Sequence, residues 1–130
     1  MSEFSDYLED KILDITLKGG TAFNVADTHL AVYTVVPTDA GGGTECSYSG
    51  YARQPITWGT VSGGSVASGA EVSFPPVLGT AITAVAIGVF DSATPAGSNL
   101  LYWTLLAASK DLSVNDVLNI ASGDLTVTLD

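Results

Sequence analysis

The sequence predicts a mainly β chain: a single antiparallel β-sandwich or jelly-roll-like domain of about eight strands, with one N-terminal amphipathic helix. Three observations predict it. Runs rich in β-branched and aromatic residues recur from residue 29 to residue 129. Turn signals of Gly, Pro, Asn and Asp separate them at roughly the eight- to twelve-residue spacing of sandwiches and barrels. Helical periodicity occurs once, before Gly19-Gly20.

The helix is expected over residues 3–18. Phe4, Leu8, Ile12 and Ile15 recur at spacings that place them on one helical face. Ser2 is the expected N-cap. Glu3 and Asp6 stand in the first turn and Lys18 in the last, as the helix dipole favours. Gly19-Gly20 supplies the stop. Residues 1–20 thus read as a helical arm and residues 21–130 as the β-sandwich. The arm either caps an open end of the sandwich or reaches a neighbouring subunit. Its carboxylates, Glu3, Asp6, Glu9, Asp10 and Asp14, form a solvated face or an acidic patch for a basic partner.

The strands follow in order. Residues 29–36 (HLAVYTVV) form a strand ended by Pro37, and residues 40–44 (AGGGT) form a loop tip. Residues 47–60, with Tyr48, Tyr51, Ile56 and Trp58, read as two short strands broken near Pro55. Residues 62–65 turn the chain. Val66 and residues 71–74 read as the next strand, which Pro75-Pro76 ends. Residues 81–90 form a central buried strand whose Gly88 marks a bulge or a close backbone approach. Residues 91–98 form a loop and residues 99–107 a long strand. Residues 112–114, 117–120 and 125–129 complete the set. Tyr102 and Trp103 are neighbours on one strand and point to opposite faces. One of them leaves the core unless both faces are covered, so the pair marks a contact with another chain. With Phe4, Tyr7, Leu8 and Ile12 they make the expected interface.

Charge narrows the partners. Fourteen acids oppose Lys11, Lys18, Arg53 and Lys110, for a net charge of -10. Phosphate backbones and anionic bilayers need clustered Lys and Arg, so neither nucleic acid nor membrane is expected. The opening MSEFSDYLED is acidic and carries no secretory-signal pattern, and no apolar run has the length of a membrane span.

A search for chemistry yields no catalytic, cofactor or metal residues. His29 is the only histidine and begins a strand; Cys46 is the only cysteine and lies in a turn region. No G-x-S-x-G elbow or G-K-[ST] phosphate loop is present. One His and one Cys do not make a zinc site without two carboxylates. Calcium would draw on Asp39 with Glu45, or on Asp91, but no D-x-D-x-D-G loop occurs. A non-enzymatic chain without cofactor is expected.

The ordered segments FSDYLEDKILDITLKGGTAF, AVYTVVPTDAGGGTE, SGYARQPITWG, IGVFDSATPAGSNLLYWTLL and SGDLTVTLD carry a resemblance. Together they resemble a family of small tailed-bacteriophage virion structural proteins, often labelled tail fibre proteins. The chain is also similar to capsid cement, or decoration, proteins. The resemblance spans the whole chain; the Thr94-Pro95 and Pro75-Pro76 loops depart from it. It implies a virion component, assembled in the host bacterial cytoplasm, with no catalytic residues to carry over. The leading expectation is a cement protein that self-associates as a trimer and binds the major capsid protein on the outside of the head. A trimer would match the local three-fold points of the shell. The alternative is a tail-associated protein, a fibre or baseplate fitting. A third reading is a carbohydrate-binding module using Tyr48, Tyr51, Trp58, Tyr102 and Trp103.

Overall fold

The computed structural model describes residues 3–21 and 23–129. Three long strands organise it: β2 (His29–Val35), β7 (Ile82–Phe90) and β8 (Leu100–Leu112). Two-residue strands flank them: β1 (Glu3–Phe4), β3 (Thr44–Glu45) and β4 (Gln54–Pro55). The sheet runs β1-β8-β7-β2-β3, and β4 pairs with the other half of β2. Every pairing is antiparallel. Two short ladders stand apart from this sheet. One joins β5 (Ser65–Ala67) to β10 (Thr126–Thr128), and the other joins β6 (Val72–Ser73) to β9 (Asn119–Ile120).

The alternation of a strand explains the two cores. Leu30 and Val32 of β2, with Ile87 and Val89 of β7, point to one face, where Val72, Phe74, Leu118 and Leu125 of the short ladders and their flanks meet them. Ala31 and Tyr33 point to the other face and meet Ala86, Phe90 and Leu100. Residues 30–33 are therefore all buried, which is why this stretch reads as an unbroken apolar run. The result is the expected mainly β, sandwich-like fold with one helix.

The N-terminus differs from the expected helix over residues 3–18. Glu3 and Phe4 are extended and pair with Trp103 and Tyr102. Helix α1 covers Asp6–Leu17, and its N-cap is Ser5, whose hydroxyl accepts from Leu8 N–H at 3.2 Å. The expected cap, Ser2, lies outside the described residues. Ser5 is 1% exposed. Its N–H donates to Leu101 O at 2.9 Å and its hydroxyl donates to Leu100 O. Edge pairing to β8 thus takes the residues that periodicity assigned to the first helical turn. At the other end Lys18 is the C-cap rather than a last-turn residue, and the last turn holds no base. Gly19 turns the chain at φ +66°, and the Lys18 and Gly20 amides both donate to Asp14 O.

Three strand expectations also change. Val66 and residues 71–74 belong to two strands, β5 and β6, in separate ladders rather than to one. The segment 47–60 holds one two-residue strand, β4, instead of two strands broken near Pro55. Its aromatics anchor loops: Tyr48 OH donates to Pro75 O at 2.7 Å and Trp58 Nε1 to Thr28 Oγ1 at 2.8 Å. Pro55 fits within β4 because β4 pairs on one side only and the ring's missing N–H leaves no ladder bond there unmade. Strand β8 runs on to Leu112, so 112–114 is no separate strand. Against β7, Ala86 faces Leu105 and Ala84 faces Lys110, so Leu106–Ser109 stand opposite Val85 alone as a large bulge. Gly88 is the expected close approach. A Cβ there would lie 2.9 Å from both Leu100 Cδ1 and Tyr33 Cε2.

Candidate functional site

A cleft of about 510 Å³ opens where the start of α1, residues 39–45 and residues 95–100 converge. Its floor is Arg53, which is 7% exposed and directly precedes β4. Arg53 grips Glu45 through Nε at 2.9 Å and Nη2 at 2.8 Å. Its Nη1 donates to Ser92 O at 3.1 Å and to Ser98 Oγ at 2.9 Å. The guanidinium lies 3.6 Å from the centre of the Phe90 ring. Those four bonds use four of the five guanidinium N–H groups. Glu45 also accepts from Tyr51 OH at 2.8 Å, and that hydroxyl accepts from Val32 N–H at 3.1 Å. Burial, and after it the nearby Glu45 carboxylate, push the Tyr33 hydroxyl up to about 12. Burial chiefly pushes Tyr51 up as well. The network satisfies its charges internally and clamps β3, β4 and the 91–99 loop together. It is built to hold loops, with one N–H left over for anything else.

The carboxylates considered for calcium are engaged likewise. Asp39 Oδ1 accepts from Trp103 Nε1 at 2.9 Å. Asp91 accepts from the backbone and side-chain nitrogens of Asn99, each at 2.8 Å. Glu45 belongs to Arg53. Among the described residues no group of three His, Cys, Asp or Glu side chains is placed to hold a metal ion.

The two nucleophile-chemistry residues are not joined. His29 stands opposite Phe90 and Pro55, and its Nδ1 is buried without a partner. Cys46 is bound beside Val32, three residues or about 10 Å further along β2. Its thiol is 4% exposed, and burial raises it to about 11. That keeps it protonated and unreactive near neutral pH.

The interface residues expected from sequence fall in two groups. Tyr102 packs toward the first core and meets Phe4 edge-to-face at 5.2 Å, while Trp103 packs toward the second core. Both faces of their strand are thus covered by this chain itself. Leu8 is 4% exposed, and Tyr7 meets Phe23 edge-to-face at 6.1 Å. Ile12 is half-buried. These residues root the helix on its own sheet. Beyond the root, a different helical face is bare: Asp6, Glu9, Asp10, Leu13, Thr16 and Leu17 are all exposed. The sequence reading missed the roles of Ser5, Asp39 and Arg53. Arg53 carried a signal, being the only arginine of the chain.

The model of a family described as podophage GP4 fiber I protein gp80 matches residues 3–128. No curated protein matches the chain.

Proposed function

The chain belongs to the podophage GP4 fiber I protein gp80 family, which makes it a phage virion component, and from that premise we propose that it is a non-enzymatic structural subunit of the tail fibre apparatus. The family match over residues 3–128 carries the reading, since it takes in the helix and both short ladders along with the sheet. A fibre-protein family favours the tail over the head, reversing the order in which sequence alone ranked them. The fold suggests which part of a fibre. Its longest strand has 13 residues but, across its bulge, runs only the length of the nine-residue β7, about 30 Å at roughly 3.3 Å per residue. That is the scale of a joint or attachment piece rather than of a shaft. The Arg53 clamp suits a rigid block, because it ties β3, the start of β4 and the 91–99 loop together by side-chain bonds. The buried, high-pKa thiol of Cys46 accords with a passive role. Net charge of -10 turns the chain away from nucleic acid and toward basic protein surfaces.

The test is a phage lacking this gene, grown with and without the protein supplied in trans. The proposal expects capsids filled with DNA but fibres missing or detached, restored by the wild-type chain. Intact fibres on fragile heads would refute it and return the cement reading.

A further inference from the structure

Among the described residues, helix α1 is buried most deeply near its start, with Ile12 and Ile15 half-buried further along. Ser5 and Leu8 are buried against the sheet, and among the strands β8 is the helix's main partner. Residues separated by three, four and seven positions share one side of a helix. By that rule Asp6, Glu9, Asp10, Leu13, Thr16 and Leu17 form one stripe, opposite Leu8, Ile12 and Ile15. The stripe is divided along its length. Its first half is Asp6, Glu9 and Asp10, with no base among them; its second half holds Leu13 and Leu17, 53% and 76% exposed. Two leucines four residues apart on an outward face are unusual where solubility alone decides, because a solvated helix carries polar residues there.

We infer that this stripe docks into a groove of another virion protein, basic at the end that receives Asp6, Glu9 and Asp10 and apolar at the end that receives Leu13 and Leu17. Charge selects this occupant. A second copy would bring a like net charge of -10, and would set the three carboxylates either against their equals in a parallel pair or against Leu13 and Leu17 in an antiparallel one. An anionic lipid surface or nucleic acid would repel them in the same way. A helix laid in a groove, read by anchors at i and i+4, is a recurrent recognition mode, and acidic flanks fix its direction in the groove. The inference rests on the virion-subunit reading and adds the surface and partner chemistry.

The test reloads particles, produced without this chain, with purified wild type, L13S/L17S, E9K/D10K or the control K11Q. Particle-bound protein is measured after sedimentation at low and high salt. Wild type and K11Q should bind alike, and added salt should weaken both. L13S/L17S and E9K/D10K should each bind about tenfold or more weakly, which corresponds to losing about 1.4 kcal/mol or more at a hot spot. All three variants replace exposed side chains, so their circular dichroism melting curves should coincide with that of wild type. Equal loading of both double variants would overturn the inference while leaving the fibre proposal standing. Loading of wild type by heads rather than tails would overturn the fibre proposal instead. Free wild type that self-associates through Leu13 and Leu17 would assign the stripe to a second copy and overturn the inference too.

Discussion

Replacing Glu45 by alanine should destabilise the protein by about 4 kcal/mol. The size follows from what is stranded. Arg53 has 3% of its side chain exposed and would lose its counter-ion together with bonds of 2.8 and 2.9 Å. Removing one partner of a buried pair costs roughly 3–5 kcal/mol. The lower end applies, because Glu45 itself is 19% exposed and water can enter the space it leaves. Ser92 O, Ser98 Oγ and the Phe90 ring also stay with the guanidinium. Tyr51 keeps the Val32 N–H but loses the acceptor for its own proton, which adds about 1 kcal/mol. For a domain of this size, each kcal/mol moves Tm by about 3–5 °C, so the melting point should fall by about 12–20 °C. Thermal and urea unfolding, followed by circular dichroism, measure it. The double variant E45M/R53M should be less damaged than E45A, because no charge is left buried. An E45A loss under about 1 kcal/mol, or E45M/R53M losses that simply add those of its single variants, would refute the idea of a coupled, water-poor clamp.

Three further outcomes are expected. Ser5→Ala removes the helix cap and the bond to Leu100 O. Stability should fall by about 1–2 kcal/mol, with faster amide exchange in α1 than in β7. Gly88→Ala places a methyl 2.9 Å from Leu100 and Tyr33 side-chain carbons, so unfolding midpoints should report a loss of about 1–2 kcal/mol. Burial raises the Cys46 thiol from 9.0 to about 11 and the Tyr33 hydroxyl from 10.0 to about 12. Both groups hold their protons more tightly in the fold, so their contribution is complete below the unfolded values and is lost as pH rises. Urea midpoints should therefore hold steady to about pH 9 and decline between about 9 and 12, with Cys46 unreactive to thiol reagents until the protein unfolds.

The strands that carry the sheet were legible because their signals are local and strong. The β-branched run at 29–36 became His29–Val35, and the run at 81–90 became Ile82–Phe90. Gly88 was readable as a close approach because glycine inside an apolar strand has few other uses. Where the sequence misled, a distant partner overrode a local pattern. Phe4 fits the helical stripe, yet an open edge of β8 bonds the backbone around it and draws Glu3 and Phe4 into a strand. Tyr48, Tyr51 and Trp58 look like strand residues, but each spends its polar atom on a bond that pins a loop. The clamp was illegible for the same reason. Glu45 and Ser98 lie 8 and 45 residues from Arg53, and only the folded sheet brings them to it. Helical spacing did place Leu8 inward, but the exposure of Leu13 and Leu17 emerged only from the fold.

Whether this chain is a fibre-associated subunit, as claimed, is decided by its copy number. The chain would be quantified against the major capsid protein in purified particles by mass spectrometry with labelled peptide standards. The claim predicts a few to a few dozen copies per particle, as symmetric tail structures require. Hundreds of copies, in fixed proportion to the major capsid protein, would contradict it and place the chain on the head.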